Sequence, residues 1–167
     1  ANSFGGDISK WDVKNVYITK NMFRDAVAFN GDISKWDVSR VQNMDGMFFG
    51  ARSFNGDLSA WGVHRVKRMS SMFSGATAFN GDISKWDVSS VQYMDRMFSG
   101  ARLFDSDVSM WDVSSVLSMD YMFLNASCFE RVLCRFAWVN SQASQIDMFK
   151  GSSGSIPQEA CRVAFDS

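Results

Sequence analysis

The stretch FNGDISKWDVS occupies residues 29–39 and is written again, letter for letter, at 79–89, with FNGDLSAWGVH between them at 54–64. The interval is twenty-five residues, and tryptophan marks it along the chain at Trp11, Trp36, Trp61, Trp86 and Trp111. Phe4, Phe29, Phe54, Phe79, Phe104 and Phe129 keep the same spacing, as do Met22, Met47, Met72, Met97 and Met122. Self-similarity at a fixed period marks stacked structural units, in which each repeat covers the apolar face of the next. After Phe104 the polar text changes from NGD to DSD while the apolar register survives, so the register is what the fold needs.

Two local patterns alternate within each repeat. In DISKWDV at 32–38, Ile33, Lys35 and Asp37 alternate with Ser34, Trp36 and Val38. That reads as a short strand apolar on both faces, or as two segments divided by a turn near Trp36. In SRVQNMDGMFFGA at 39–51, Val41, Met44 and Phe48 recur at three and four with Met47 beside them, the stripe of a short α- or 3₁₀-helix. Ser39 and Ser89 stand at the helix starts, with Gln42 and Gln92 three later as in a capping box. At the opposite end come Asp25, Gly50, Gly75, Gly100 and Asn125, residue types that tolerate a left-handed conformation. Each is followed by an alanine, small enough for neighbouring coils to approach closely.

The predicted fold class is an α/β repeat solenoid: coils of twenty-five residues, each with a short β-strand and a short α- or 3₁₀-helix, stacked in parallel. Residues 1–127 make five coils and residues 128–167 a degenerate, cysteine-containing cap, in which Phe136 takes the tryptophan position and Met148 arrives one residue late. The methionines are read as fillers of irregular space in the core. At the front, Phe4 and Ile8 enter the pattern almost at once, so that end is expected to contact preceding coils or another subunit.

Composition narrows the function. With 46% hydrophobic residues and a formal net charge of -1, the chain affords a substantial core and no general attraction to nucleic acid or anionic lipid. No run approaches the roughly 18 to 20 apolar residues of a membrane span. ANSFGGD at 1–7 lacks the features of a signal peptide, and the start at Ala1 leaves a removed leader or an upstream anchor open. Cys128, Cys134 and Cys161 all fall near the C-terminus. One disulfide is expected, Cys134 to Cys161 being preferred over Cys128 to Cys134, and the spacings match no zinc signature.

The run FNGDISKWDVSSVQYMDRMFSGA at 79–101 resembles the BspA-like leucine-rich-repeat surface proteins, the mycoplasma lipoprotein-associated domain of unknown function, and five repeats follow the phrase over about residues 4–126. The terminal LCRFAWVN…MFKGSSGSIP is similar to the degenerate last repeat of long algal members, with Ser155 where a cysteine often stands. The resemblance implies leucine-rich-repeat-like coils, a secreted or surface location, adhesion or protein binding, no catalytic residue, and a partner for Cys134 other than position 155.

The residues offer little chemistry beyond recognition. Asp7, Asp32, Asp57, Asp82 and Asp107 form one column and Asp12, Asp37, Asp87 and Asp112 another. Capping of turns is preferred for them over a calcium ladder. Asn30, Asn55 and Asn80 are read as an amide ladder that satisfies backbone groups at successive bends. No histidine or lysine recurs beside the Ser34, Ser59, Ser84 and Ser109 column, so no catalytic, cofactor or metal residue is predicted. The partner-binding candidates are Phe49 with Arg52, the basic run of His64, Arg65, Lys67 and Arg68, and Leu117 with Leu124. The expected function is a noncatalytic protein-interaction or adhesion module at the cell surface or outside the cell. The alternative is a permanent structural or linker subunit of a larger assembly, for instance on the lumenal side of a membrane-associated one.

Overall fold

The computed structural model describes residues 6–157 and 161. Neither half of the repeat adopts its predicted element, and the α/β repeat solenoid with leucine-rich-repeat-like coils is overturned. Among the described residues there is one helix, α1 (Phe136–Val139), and there are isolated parallel β-bridges in place of strands and sheet. The reason lies in where the backbone N–H groups go.

In the DISKWDV half, Asp32 Oδ1 accepts the Ser34 N–H at 3.0 Å and the Trp36 N–H closes a tight turn onto Ile33 O at 3.1 Å. Asp37 takes the Ser39 N–H at 3.0 Å in the same way, and Val41 N–H closes on Val38 O at 2.9 Å. The chain therefore turns near Trp36, the second of the two possibilities the alternation left open. Ser39 belongs to a turn and caps no helix.

In the SRVQNMDGMFFGA half the N–H groups of Met44, Gly46, Phe48 and Gly50 leave their own repeat, donating to Arg68, Ser70, Met72 and Ser74 carbonyls at 2.9, 2.9, 2.8 and 2.8 Å. The intervening Met47, Phe49 and Ala51 donate three residues back. Gly46 and Gly50 have φ of +60° and +68°, so a left-handed residue every fourth position stops the i to i−4 bonds of an α-helix from forming. The apolar spacing of three and four thus belongs to a tightly turned ribbon. Its outer edge is a line of parallel bridges from Ile18 through Asn43, Arg68, Tyr93 and Ser118 to Ser144.

Left-handed residues occur in two columns. Asp25, Gly50, Gly75, Gly100 and Asn125 have φ of 55°, 68°, 71°, 69° and 55°. The second column, Asn21, Gly46, Ser71, Arg96 and Tyr121, was not anticipated from the sequence, and its φ values are 59°, 60°, 57°, 54° and 59°. A left-handed residue with a side chain costs about 1–2 kcal/mol. The repeat interface holds it there, since Arg96 N–H donates to Asp120 O at 2.9 Å and Ser71 N–H to Asp95 O at 2.8 Å.

The interior consists of side-chain columns. Phe23, Phe48, Phe73, Phe98, Phe123 and Phe149 follow one another at 5.5, 5.5, 5.7, 5.6 and 5.6 Å between ring centroids. Within a repeat each ring also stacks on a second phenylalanine, Phe48 on Phe54 at 4.0 Å and Phe98 on Phe104 at 3.8 Å. Met44, Met47, Met69, Met72, Met94 and Met97 are fully buried beside them. The tryptophans close the other side of the core and find a partner for their one polar atom: Nε1 of Trp36, Trp61, Trp86 and Trp111 donates to Ile8, Ile33, Leu58 and Ile83 carbonyls at 3.0, 3.1, 2.9 and 3.1 Å. Trp11 and Met22 depart from their buried columns, being 54% and 39% exposed, because they sit in the outermost described repeat. Phe4 lies outside the described residues.

The last repeat corrects one assignment. Phe136 is 70% exposed, and Trp138, fully buried with Nε1 on Val108 O at 3.2 Å, takes the tryptophan place. Extra chain around α1 carries the ring two residues further along, and one residue is then recovered before Ser144, which bridges Ser118 at a separation of twenty-six. Met148 is buried one position late, as the text of the repeat requires. Cys134 and Cys161 form the disulfide with Cα atoms 5.2 Å apart, and Cys128 is a free, exposed thiol.

The two ends of the ribbon differ. The carbonyls of Ile18, Lys20, Met22 and Arg24 receive no backbone N–H from the described residues, and the N–H groups of Gln145, Asp147, Phe149 and Gly151 reach no described carbonyl. Among the described residues the front edge shows mainly acceptors and the rear mainly donors, the exception being the bonds that run the other way, such as Gln42 N–H to Tyr17 O, which leave Tyr17 N–H at the front and Ala143 O at the rear.

Candidate functional site

The carboxylate columns are spent on the backbone. Oδ1 of Asp7, Asp57, Asp82 and Asp107 accepts the N–H of the serine two residues on at 2.9, 2.9, 3.0 and 2.9 Å. Asp12, Asp87 and Asp112 do the same for Lys14, Ser89 and Ser114. These bonds favour the charged form: the Ser84 hydroxyl and N–H hold the Asp82 carboxyl below the usual aspartate range, and Ser34 does the same for Asp32. Among the described residues no group of three or more His, Cys, Asp or Glu is placed to hold a metal ion. The asparagines form the ladder read from the sequence, Asn30, Asn55 and Asn80 each taking the N–H of the equivalent residue in the next repeat at 2.9, 2.8 and 2.8 Å.

The basic run does not act as one patch. Arg68 is committed, its Nε lying 2.7 Å from Asp45 Oδ2 and its guanidinium 4.7 Å from the Tyr93 ring centroid. His64, Arg65 and Lys67 are exposed along the outer side of one repeat, and with no helix there the run meets no helix-end charge. Phe49 is half-buried beneath the Arg24 guanidinium, 4.1 Å from the ring centroid. Leu124 is half-buried in the same column, whereas Leu117 is 58% exposed in a column that starts at Tyr17, 51% exposed.

Arg52 lies elsewhere, on a groove of about 560 Å³ lined by Arg52, Gly75, Thr77, Gly100, Arg102 and Asn125. Four consecutive repeats contribute, so the groove runs along the stacking direction. Gly75 and Gly100, at φ +71° and +69°, form a floor without side chains. Thr77 Oγ1 donates to Arg52 O at 3.2 Å, which ties the wall of one repeat to the next. Sequence reasoning missed Arg102, Thr77 and Asn125. The signal was available, because Val27, Arg52, Thr77, Arg102 and Ser127 are equivalent positions and arginine occurs there twice.

Residues 1–76 and 57–158 match the family described as Mycoplasma protein of unknown function, DUF285. No curated protein and no solved structure matches the chain. No helix among the described residues is long and apolar enough to cross a membrane.

Proposed function

We infer the function from one premise: the chain belongs to the Mycoplasma protein family of unknown function, DUF285. The reading supported best is a noncatalytic module that binds another protein, or adheres to one, through an extended repeated surface. What carries it is the contrast between columns. Inward positions keep Phe, Met, Val and Trp from repeat to repeat, while the outward column reads Tyr17, Gln42, Lys67, Gln92, Leu117 and its neighbour Arg24, Phe49, Ser74, Ser99, Leu124. A constant scaffold with freely varied outward residues is how repeat proteins recognise partners. The finer likeness to BspA-like surface proteins, together with a disulfide suited to an oxidising compartment, supports a place at the cell surface or outside the cell.

One observation favours the second reading, a permanent structural or linker subunit. The front edge combines carbonyls that no described N–H meets with Trp11, Tyr17, Ile18 and Met22 at 54%, 51%, 63% and 39% exposure, an apolar and hydrogen-bonding face that preceding coils or a lasting partner would cover. A native pull-down followed by size analysis separates the two. A transient binder stays monomeric once its partner is removed, whereas an obligate subunit aggregates or is lost. Failure to retain any protein under native conditions would count against both.

A further inference from the structure

We propose that the groove between Arg52 and Arg102 binds an acidic, extended peptide segment, two carboxylates of which, three residues apart, pair with the two guanidiniums. This rests on the protein-binding reading above and names the chemistry of the partner.

Charge comes first. Neither Arg52 nor Arg102 has an acidic partner among the described residues, while Arg24, Arg68 and Arg131 each lie within 3.5 Å of an aspartate. No carboxylate lines the groove, so two planar guanidiniums stand free at its sides with their donors available. Such forks match carboxylates in a two-point fashion that a lysine ammonium does not offer.

Shape selects the occupant. Neighbouring repeats are about 4.8 Å apart along the bridges, so a groove spanning four repeats is roughly 14 Å long, and Arg52 and Arg102, two repeats apart, are separated by about 10 Å of stack. A compact anion leaves most of that length empty. In a polyproline II segment, which rises about 3.1 Å per residue with three residues per turn, side chains at i and i+3 share a side about 9.3 Å apart. A β-strand presents same-side residues only about 6.7 Å apart. The polyproline spacing therefore fits the arginine pair. Its backbone makes no internal hydrogen bonds, and Thr77 between the arginines with Asn125 at the far end supplies polar groups to meet it. The glycine floor lets a main chain approach closely because Gly75 and Gly100 carry no side chains, a Cβ on Gly100 lying only in ordinary contact with Gly75 N at 3.8 Å.

The test is fluorescence anisotropy at low ionic strength with labelled Pro-Glu-Pro-Pro-Glu-Pro and its glutamine counterpart. Two exposed charge pairs are expected to make the glutamate peptide bind about tenfold tighter. An Arg52→Gln, Arg102→Gln double variant should lose that preference and Lys35→Gln, an exposed charge away from the groove, should keep it, with circular dichroism showing all of them folded. Equal binding of the two peptides, an unchanged preference in the double variant, or competition by inorganic phosphate at the peptide's own concentration overturns the proposal. If a native partner is still retained when the peptide result fails, the binding-module reading stands and only the groove assignment is lost.

Discussion

Removing the indole of Trp86 tests the core more sharply than any surface change. The ring is 4% exposed, stacks on Trp111 at 6.4 Å, meets Phe73 at 6.4 Å, and donates to Leu58 O at 2.9 Å. Trp86→Ala opens a space between two stacked repeats and is expected to cost about 3–5 kcal/mol. Trp86→Phe keeps most of the ring and deletes the donor; the Leu58 carbonyl still accepts the Trp61 N–H at 3.1 Å, so the loss is one hydrogen bond, about 0.5–1.5 kcal/mol. Trp11→Phe is the control, because Trp11 is 54% exposed and its indole finds no such acceptor among the described residues; its cost should stay within about 0.5 kcal/mol. Urea unfolding should be followed by far-ultraviolet circular dichroism and by amide exchange of the central repeats, since arrays of repeats can lose all-or-none behaviour. The order Ala, then Phe at 86, then Phe at 11 is the expected result. Equal midpoints for Trp86→Phe and Trp11→Phe would refute the claim that the indole bonds tie repeats together.

Other outcomes follow from the same geometry. Asp32, Asp57 and Asp82 have carboxyls lowered in the folded state chiefly by hydrogen bonds from Ser34, Ser59 and Ser84. The unfolded chain therefore takes up protons first: stability should be flat above about pH 5 and fall as pH drops below roughly 4. Acid unfolding of a triple Asp→Asn variant at these positions should show a smaller fall, because the amide oxygen still accepts the turn N–H. Gly100→Ala, at φ +69° with its Cβ in ordinary contact with Gly75 at 3.8 Å, should cost about 1–2 kcal/mol for backbone reasons alone, while Ser71→Gly, at φ +57°, should cost nothing measurable in thermal unfolding. Reducing the Cys134–Cys161 bond, which closes a separation of twenty-seven residues, should lower stability by about 3 kcal/mol in matched denaturant curves.

The register of this fold was legible and its local geometry was not. Tryptophan and phenylalanine at twenty-five-residue spacing named the columns, and the Asp–x–Ser and asparagine positions announced their turn and ladder bonds, because those side chains act through short, local contacts. The ribbon at 39–51 was misread because Val41, Met44 and Phe48 satisfy a helical period equally well when the chain turns left-handed at positions 46 and 50. The first of those positions is Asn, Gly, Ser, Arg or Tyr in successive repeats, so no residue type advertised it. Phe136 was misplaced because counting in twenty-fives cannot see the residues that α1 inserts. At the candidate site Arg52 was found and Arg102 was not: a groove is made by stacking residues from four repeats, and each repeat by itself contributes only one side chain to it.

The opposed chemistry of the two ribbon edges limits how copies of this chain meet. Paired with itself, the described front edge would set the Ile18, Lys20, Met22 and Arg24 carbonyls mostly against carbonyls, with Tyr17 N–H the one ribbon donor beside them, and the described rear edge mostly amides against amides. Unlike edges satisfy each other far more fully than like ones, so contact along the stacking direction favours one order of repeats over a symmetric pairing.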